Sequence, residues 1–195
     1  MQQESYPRQS ARTHRFTAGA PRGFAISPDG ARVVFVRSTS GTDVVGRLWE
    51  VDAATGAERL LADPVLLHDG PEELSPEERA RRERMREGSS GIVGFSTDAG
   101  VTVAAFALSG GLYAVPLVDS GPVVALEVPG PVIDPRVSPD GTHVAYVSGR
   151  SLRVARIDGT EDRALAEPAH EAETCGLADF VSAEELERQR GFWWS

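Results

Sequence analysis

The sequence has a single cysteine, Cys175, and no lysine among its 195 residues. One cysteine cannot form an internal disulfide, and no histidine or cysteine pair has the spacing of a zinc site, so we expect neither a metal nor another cofactor. The 20 basic residues are all arginine, which we interpret as a compositional bias. With a formal net charge of −9, the chain lacks the basic face that phosphate binding needs, so nucleic acid is not an expected partner.

No stretch of the chain is long and apolar enough to be a secretory signal or a membrane span. We therefore expect a cytoplasmic protein that does not associate with membranes. Hydrophobic residues make up 41% of the sequence. This content is sufficient for the core of one domain, or of part of a larger one.

A strand–turn–strand unit recurs along the chain. Residues 24–36 and 135–147 share the turn Ser-Pro-Asp-Gly before a β-rich run, 94–106 is a degenerate copy, and a fourth copy begins at 192–195. In this turn proline fixes φ, aspartate bonds its own backbone and glycine takes a positive φ. Each complete copy is followed by a second strand pair, which gives the four strands of a propeller blade. The sequence therefore predicts an all-β fold, a partial β-propeller of about three four-stranded blades plus the start of a fourth.

The turn serines define the length of the unit. They are Ser27, Ser96, Ser138 and Ser195. Their shortest interval is 42 residues, within the ~40–45 residues typical of propeller repeats. The longer intervals leave two helical insertions, at about 63–91 and 169–190. We expect residues 1–20 to be a flexible leader and residues 21–195 to be the N-terminal part of a propeller domain, because the fourth unit stops before its turn.

The first insertion carries a helix that is rich in arginine. Ser75 and Pro76 begin a capping box, and Gly88 is a natural stop, so the sequence predicts a helix over 76–87. Its body has no apolar stripe. We therefore expect this helix to project into water or a cavity and to be mobile. A solubilising helix with compensated charges is the alternative.

The second insertion carries a shorter helix. At about 100° per residue, Phe180, Val181, Glu184 and Arg188 fall on the same side as Leu177, which an amphipathic helix would bury. A carboxylate at Glu184 on that side needs a cationic partner, and a ligand's ammonium is one candidate. The alternative is a solvated helix with an ordinary pair between Glu184 and Arg188.

The segment 176–186, Gly-Leu-Ala-Asp-Phe-Val-Ser-Ala-Glu-Glu-Leu, and the following Gly-Phe-Trp-Trp-Ser at 191–195 resemble a known motif. They look like the double-glutamate motif of the dipeptidyl peptidase IV branch of the prolyl oligopeptidase family. In that family the two acids hold the free N-terminal ammonium of a peptide, so that cleavage falls after the second residue. The resemblance assigns this role to Glu184 and Glu185.

A weaker resemblance lies in the first insertion, where Arg-Glu-Arg-Met-Arg at 82–86 is followed by Gly-Ile-Val-Gly-Phe at 91–95. It is similar to the arginine-bearing insertion that some relatives fold over their substrate, in which an arginine binds a peptide carbonyl. Arg82, Arg84 and Arg86 are the candidates, and Arg86 is preferred by a small margin. The predicted substrate-binding residues are thus Glu184, Glu185, Arg86 and Arg82.

The resemblance implies a serine exopeptidase that removes dipeptides from free peptide N-termini. Its α/β-hydrolase domain, with serine, aspartate and histidine, would lie outside this chain, which looks truncated before that domain. The chain has no Gly-x-Ser-x-Gly motif, and we expect none of its histidines to be catalytic. Alone it should therefore be inactive, whereas the full-length protein could form a homodimer.

A non-catalytic propeller that binds proteins is the alternative function, because propeller blades also occur in scaffolds. The two functional hypotheses differ in the geometry that they require. If the insertions serve a substrate, both must leave the blades on the same side, and Glu184 and Glu185 must face the propeller axis.

Overall fold

A computed structural model describes residues 4–119 and 121–195. Within these residues, three antiparallel sheets follow one another along the chain, each with four strands in sequence order. The first sheet contains β1 (Arg22–Ile26), β2 (Arg32–Arg37), β3 (Val45–Asp52) and β4 (Glu58–Ala62), and the short β5 (Ser90–Gly91) pairs in parallel with β3. The second contains β6 (Ser96–Thr97), β7 (Val103–Leu108), β8 (Gly111–Pro116) and β9 (Val124–Leu126). The third contains β10 (Ile133–Val137), β11 (His143–Ser148), β12 (Ser151–Arg156) and β13 (Arg163–Ala166). The helices are α1 (Tyr6–Arg12), α2 (Pro64–Leu67), α3 (Pro76–Arg84) and α4 (Phe180–Glu185).

The hydrophobic core lies between successive sheets. One buried cluster joins Val34 of the first sheet to Phe106 of the second. Another joins Leu112 of the second sheet to Tyr146 of the third. Four-stranded sheets that pack through their faces in sequence order are the blades of a propeller, so the predicted partial β-propeller is confirmed.

The first strands of the three blades meet around one cavity of about 350 Å³, which we call the axial cavity. It is lined by Gly23, Phe24, Ala25, Phe95, Ser96, Thr97, Arg136, Val137, Arg190 and Trp194. Arg190 and Trp194 lie beyond the third blade, and Trp194 falls within residues 192–195, where the fourth unit was predicted to begin. Residues 190–195 pack in that place without forming a strand.

The Ser-Pro-Asp-Gly turns have the predicted local chemistry. In the third blade, Ser138 Oγ donates to Asp140 Oδ1 at 2.5 Å, and the Thr142 backbone N–H donates to the same oxygen at 3.1 Å. Gly141 follows with φ +73°, a conformation that would strain a residue with a side chain. The turn therefore depends on an ionised aspartate that accepts several hydrogen bonds.

We expect the pKa of Asp140 to be about 2, below its ordinary 3.8, because the hydroxyl of Ser138 and the backbone and hydroxyl of Thr142 donate to its carboxylate. A group with a lowered pKa stabilises the fold above its unfolded-state pKa, so this contribution is lost as the pH falls from about 3.8 through about 2. A carboxyl-carbon NMR titration measures the midpoint. A midpoint at the ordinary value would show that these hydrogen bonds are not formed in solution.

The predicted leader contains α1, whose residues include no buried side chain. The rings of Tyr6 and Phe16 lie 5.9 Å apart, and the Gly19 N–H donates to Ser38 Oγ at 3.0 Å, which attaches this segment to the first blade. Residues 1–3 lie outside the described part of the chain. The flexibility of the leader and the domain boundary at residue 21 stay predictions. No helix within the described ranges has the length and apolar character needed to cross a membrane.

Candidate functional site

Both insertions leave their blades at the same end. β4 ends at Ala62 and β13 ends at Ala166, and in each sheet this end also holds the start of the first strand. The starts of the second and third blades adjoin each other, because residues 93–95 and 134–136 line one small cavity together with side chains of α3. The geometry therefore agrees with the expectation that the two insertions lie on one side of the propeller.

The arginine helix α3 begins as predicted and ends earlier. Ser75 Oγ accepts the backbone N–H of Glu78 at 3.2 Å, so the capping interaction is present. The helix ends at Arg84 and not at residue 87, because Arg86 takes a left-handed conformation with φ +54°. The turn occurs before Gly88, which was the predicted stop.

Arg82 is buried, with 6% of its surface exposed. Its Nε donates to Glu78 at 2.9 Å, and its two terminal nitrogens donate to the carboxylate of Glu72 at 3.1 and 2.9 Å. Burial alone would lower the pKa of Arg82, but these two carboxylates raise it above its ordinary value. Ion pairs thus hold this helix, which has no apolar stripe, against its own insertion. The expected mobility of the helix stays a prediction.

Arg86 has a different environment. It is exposed and lines an open cleft of about 870 Å³ between residues 85–89 and the segment 14–20. Its guanidinium pairs with no other side chain in the described part of the protein, and neither does that of Arg84. Of the predicted arginines, Arg84 and Arg86 thus have guanidinium donors available to a ligand, whereas those of Arg82 are engaged.

Asp179 caps the glutamate helix α4. Its carboxylate accepts the backbone N–H and the hydroxyl of Ser182, each at 2.8 Å. The buried residues of the helix are Ser182 and Ala183, whereas Phe180 and Val181 are 66% and 52% exposed. The predicted buried face was therefore wrong.

The physical reason is the shortness of the helix. It has six residues, so an apolar stripe cannot form over several turns, and the cap and small side chains decide which side packs. The chain then folds back, with the Arg188 N–H donating to the Ser182 carbonyl at 2.9 Å. The alternative pair between Glu184 and Arg188 does not form. The Arg188 guanidinium instead lies over the ring of Trp193, 5.5 Å from its centroid.

Glu184 and Glu185 are both exposed at the end of α4. Neither carboxylate forms an ion pair or a hydrogen bond with any residue that the structure describes. Glu184 is therefore not the inward, buried acid that the helical spacing predicted. Two adjacent carboxylates without partners can still accept all the donors of an ammonium group.

The residues after α4 are fixed to the third blade. Phe192 is buried and packs against Ile133 and Val147, and Trp194 Nε1 donates to the Arg136 carbonyl at 3.1 Å. The glutamates are thus carried on a short helix whose following segment is attached to the first strand of a blade. Residues 192–195, predicted as the start of a fourth unit, contact the third blade without forming a strand.

Comparison with known proteins agrees with this architecture. Residues 107–195 match the family described as the dipeptidyl peptidase IV (DPP IV) N-terminal region. The chain is 30% identical over 139 residues to dipeptidyl peptidase 8 of Homo sapiens and 27% identical over 139 residues to that of Mus musculus. These matches cover 62% of this chain and 15% of each relative, so the chain spans a small part of their length.

A solved structure of TolB from Agrobacterium tumefaciens has a similar fold. Its TM-score is 0.50 at 16% sequence identity, and the match covers 78% of this chain and 49% of that one. At this identity the likeness supports the fold alone. Together with the blade packing, it supports the assignment of a partial propeller.

Proposed function

Because residues 107–195 match the N-terminal region of the dipeptidyl peptidase IV family, we propose that this chain is the N-terminal propeller portion of a serine exopeptidase. The enzyme would remove dipeptides from peptides with a free N-terminus. The serine, aspartate and histidine would come from an α/β-hydrolase domain outside this chain, so the chain alone would be inactive. A cytoplasmic location and a homodimer of the full-length protein belong to the same proposal.

The observation that carries the proposal is the pair Glu184 and Glu185, unpaired and exposed within the segment that matches the family. A peptide's N-terminal ammonium has three donors, and two carboxylates can accept them as charge-assisted hydrogen bonds. Each such bond contributes about 1.5–3 kcal/mol. Fixing the ammonium at one point fixes the number of residues that reach the nucleophile, which selects dipeptides.

Arg86 is the proposed second contact with the substrate, in preference to Arg82. An arginine presents several donors in a planar fork that suits a carbonyl or a carboxylate. The guanidinium of Arg86 is exposed, whereas that of Arg82 is committed to Glu72 and Glu78. In this proposal Arg86 orients the substrate and Arg82 supports the helix that precedes Arg86.

The alternative proposal is a non-catalytic propeller that binds proteins. The observation in its favour is that neither Glu184 nor Glu185 lines the axial cavity, whereas the peptidase proposal requires both to face the propeller axis. The two proposals predict different responses to a blocked substrate.

The proposed function predicts that the peptidase that carries this chain prefers free N-termini. On matched Xaa-Pro chromogenic substrates, N-acetylation removes the ammonium and should lower kcat/KM by about 10²-fold or more. The rate on the free substrate should also fall as the pH rises through the pKa of a peptide α-amino group, about 7.7–8.0. Equal cleavage of free and acetylated substrates would refute an ammonium anchor, and no cleavage of either would favour the protein-binding alternative.

A further inference from the structure

Asp134, at the start of the third blade, has an unusual conformation. It is buried, with 5% of its surface exposed, and its backbone has φ +49°. A left-handed conformation is uncommon for residues other than glycine, although aspartate and asparagine tolerate it best. Its Oδ1 accepts from an Arg136 terminal nitrogen at 2.6 Å and forms a longer ion pair with an Arg81 terminal nitrogen at 3.5 Å.

The contact with Arg81 joins parts that are distant in the sequence. Arg81 lies on α3, which belongs to the insertion between the first and second blades, whereas Asp134 begins the third blade. Arg81 also pairs with Glu78 of its own helix at 3.1 Å. The helix therefore contacts the third blade, although its insertion connects the first blade to the second.

This arrangement carries a cost. Asp134 Oδ2, Arg81 Nε and Arg136 Nε are buried and have no hydrogen-bond partner among the described residues. Buried polar atoms without partners and left-handed residues other than glycine both cost free energy, and such features cluster at functional sites. Apolar packing between α3 and the third blade would hold the helix without these costs.

The same strand also contacts the segment that follows the second insertion. The carbonyl of Arg136 accepts the hydrogen bond from Trp194 Nε1, in the segment that follows α4. Residues 134–136 thus contact the arginine helix on one side and the segment after the glutamate helix on the other. A shift at this strand would change the distance between the two insertions.

We propose that Asp134 is a positioning residue that fixes α3, and with it Arg86, relative to Glu184 and Glu185. This inference rests on the proposed function for its consequence in catalysis. Asp134 does not touch the substrate. It acts through Arg81. In this proposal the third blade holds both the arginine helix and the segment that follows the glutamate helix.

The test compares Asp134→Asn and Arg81→Gln with Arg79→Gln as the matched control. Asparagine keeps the size of Asp134 and its tolerance of a left-handed backbone, so the change removes the charge with little backbone strain. Arg79 is an exposed residue of the same helix, and its guanidinium has no partner among the described residues. Its replacement removes the same positive charge as Arg81→Gln without breaking the contact.

Hydrogen exchange on the full chain measures how firmly α3 is attached to the third blade. In Asp134→Asn and Arg81→Gln the amides of α3 should exchange about tenfold faster or more, whereas those of β11 and β12 and all amides of Arg79→Gln should be unchanged. The effects of the two changes should be less than additive in the double variant, because both break the contact between Asp134 and Arg81. Unchanged exchange of α3 in Asp134→Asn would overturn the attachment.

Steady-state kinetics on the peptidase that carries the chain test whether Asp134 positions Arg86 relative to Glu184 and Glu185. Both variants should raise KM for a free dipeptidyl substrate about tenfold and leave kcat within about twofold, because substrate binding is weakened and the chemical step is not. Faster exchange with an unchanged KM would overturn the positioning role. If the wild-type peptidase releases no dipeptide, the proposed function and the positioning role both fail. The exchange result still tests whether Asp134 attaches α3 to the third blade.

Discussion

Replacing Glu184 and Glu185 together by alanine is expected to lower kcat/KM by about 10²–10⁴ on substrates with a free N-terminus. Each carboxylate would lose a charge-assisted hydrogen bond to the ammonium. The folded structure should not change, because both side chains are exposed and pair with no described residue. Steady-state kinetics on the peptidase that carries this chain, with a thermal unfolding scan of each variant, measure both effects.

The matched control for this pair is Glu187→Gln. Glu187 lies just beyond α4, is exposed, and its side chain has no partner in the described structure. This control removes one negative charge from the same surface and should change kcat/KM by less than about twofold, because a long-range field effect is screened by salt. An equal loss in the control and in the glutamate variants would show that general surface charge, and not an anchor, attracts the substrate.

Replacing Arg82 by glutamine is expected to lower the free energy of unfolding by about 3–5 kcal/mol. The loss follows from the burial of Arg82, since its removal leaves the carboxylates of Glu72 and Glu78 without their cation. Chemical denaturation of the full chain measures this effect. Arg79→Gln, on the exposed side of the same helix, should change stability by less than about 0.5 kcal/mol.

A second change separates the structural role of Arg82 from a role in binding. In the Arg82→Gln background, Glu72→Gln should restore part of the lost stability, because it neutralises a carboxylate left without its partner. If Arg82→Gln instead left stability unchanged and raised KM sharply, Arg82 would contact the substrate directly, as the sequence had suggested.

The blades were predictable because their signals are local. The turns around Ser138 and Asp140 combine proline, aspartate and glycine at fixed positions, and the hydrogen bonds they form lie within a few residues. The start of α3 at Ser75 was predictable for the same reason. Each of these features depends on interactions between residues that are close in the sequence, so the residue types alone predict them.

The errors arose where packing over long distances decides the structure. The buried ion pair between Arg82 and Glu72 joins the helix to the preceding loop, and no periodic pattern marks it. Helical spacing gave the wrong face for α4, because a helix of six residues follows its cap and the small side chains of Ser182 and Ala183. The proposed role of Asp134 had no sequence signal, since its partner Arg81 lies on an insertion between two other blades.

The most direct test of the ammonium anchor is a cycle that combines protein and substrate changes. It compares the ratio of kcat/KM for free and N-acetylated substrate in the wild type and in the Glu184→Ala, Glu185→Ala variant. If the carboxylates bind the ammonium, the ratio should fall from about 10² or more to near 1, because the variant cannot distinguish the two substrates. A ratio that stays the same in the variant would show that these glutamates do not bind the substrate N-terminus.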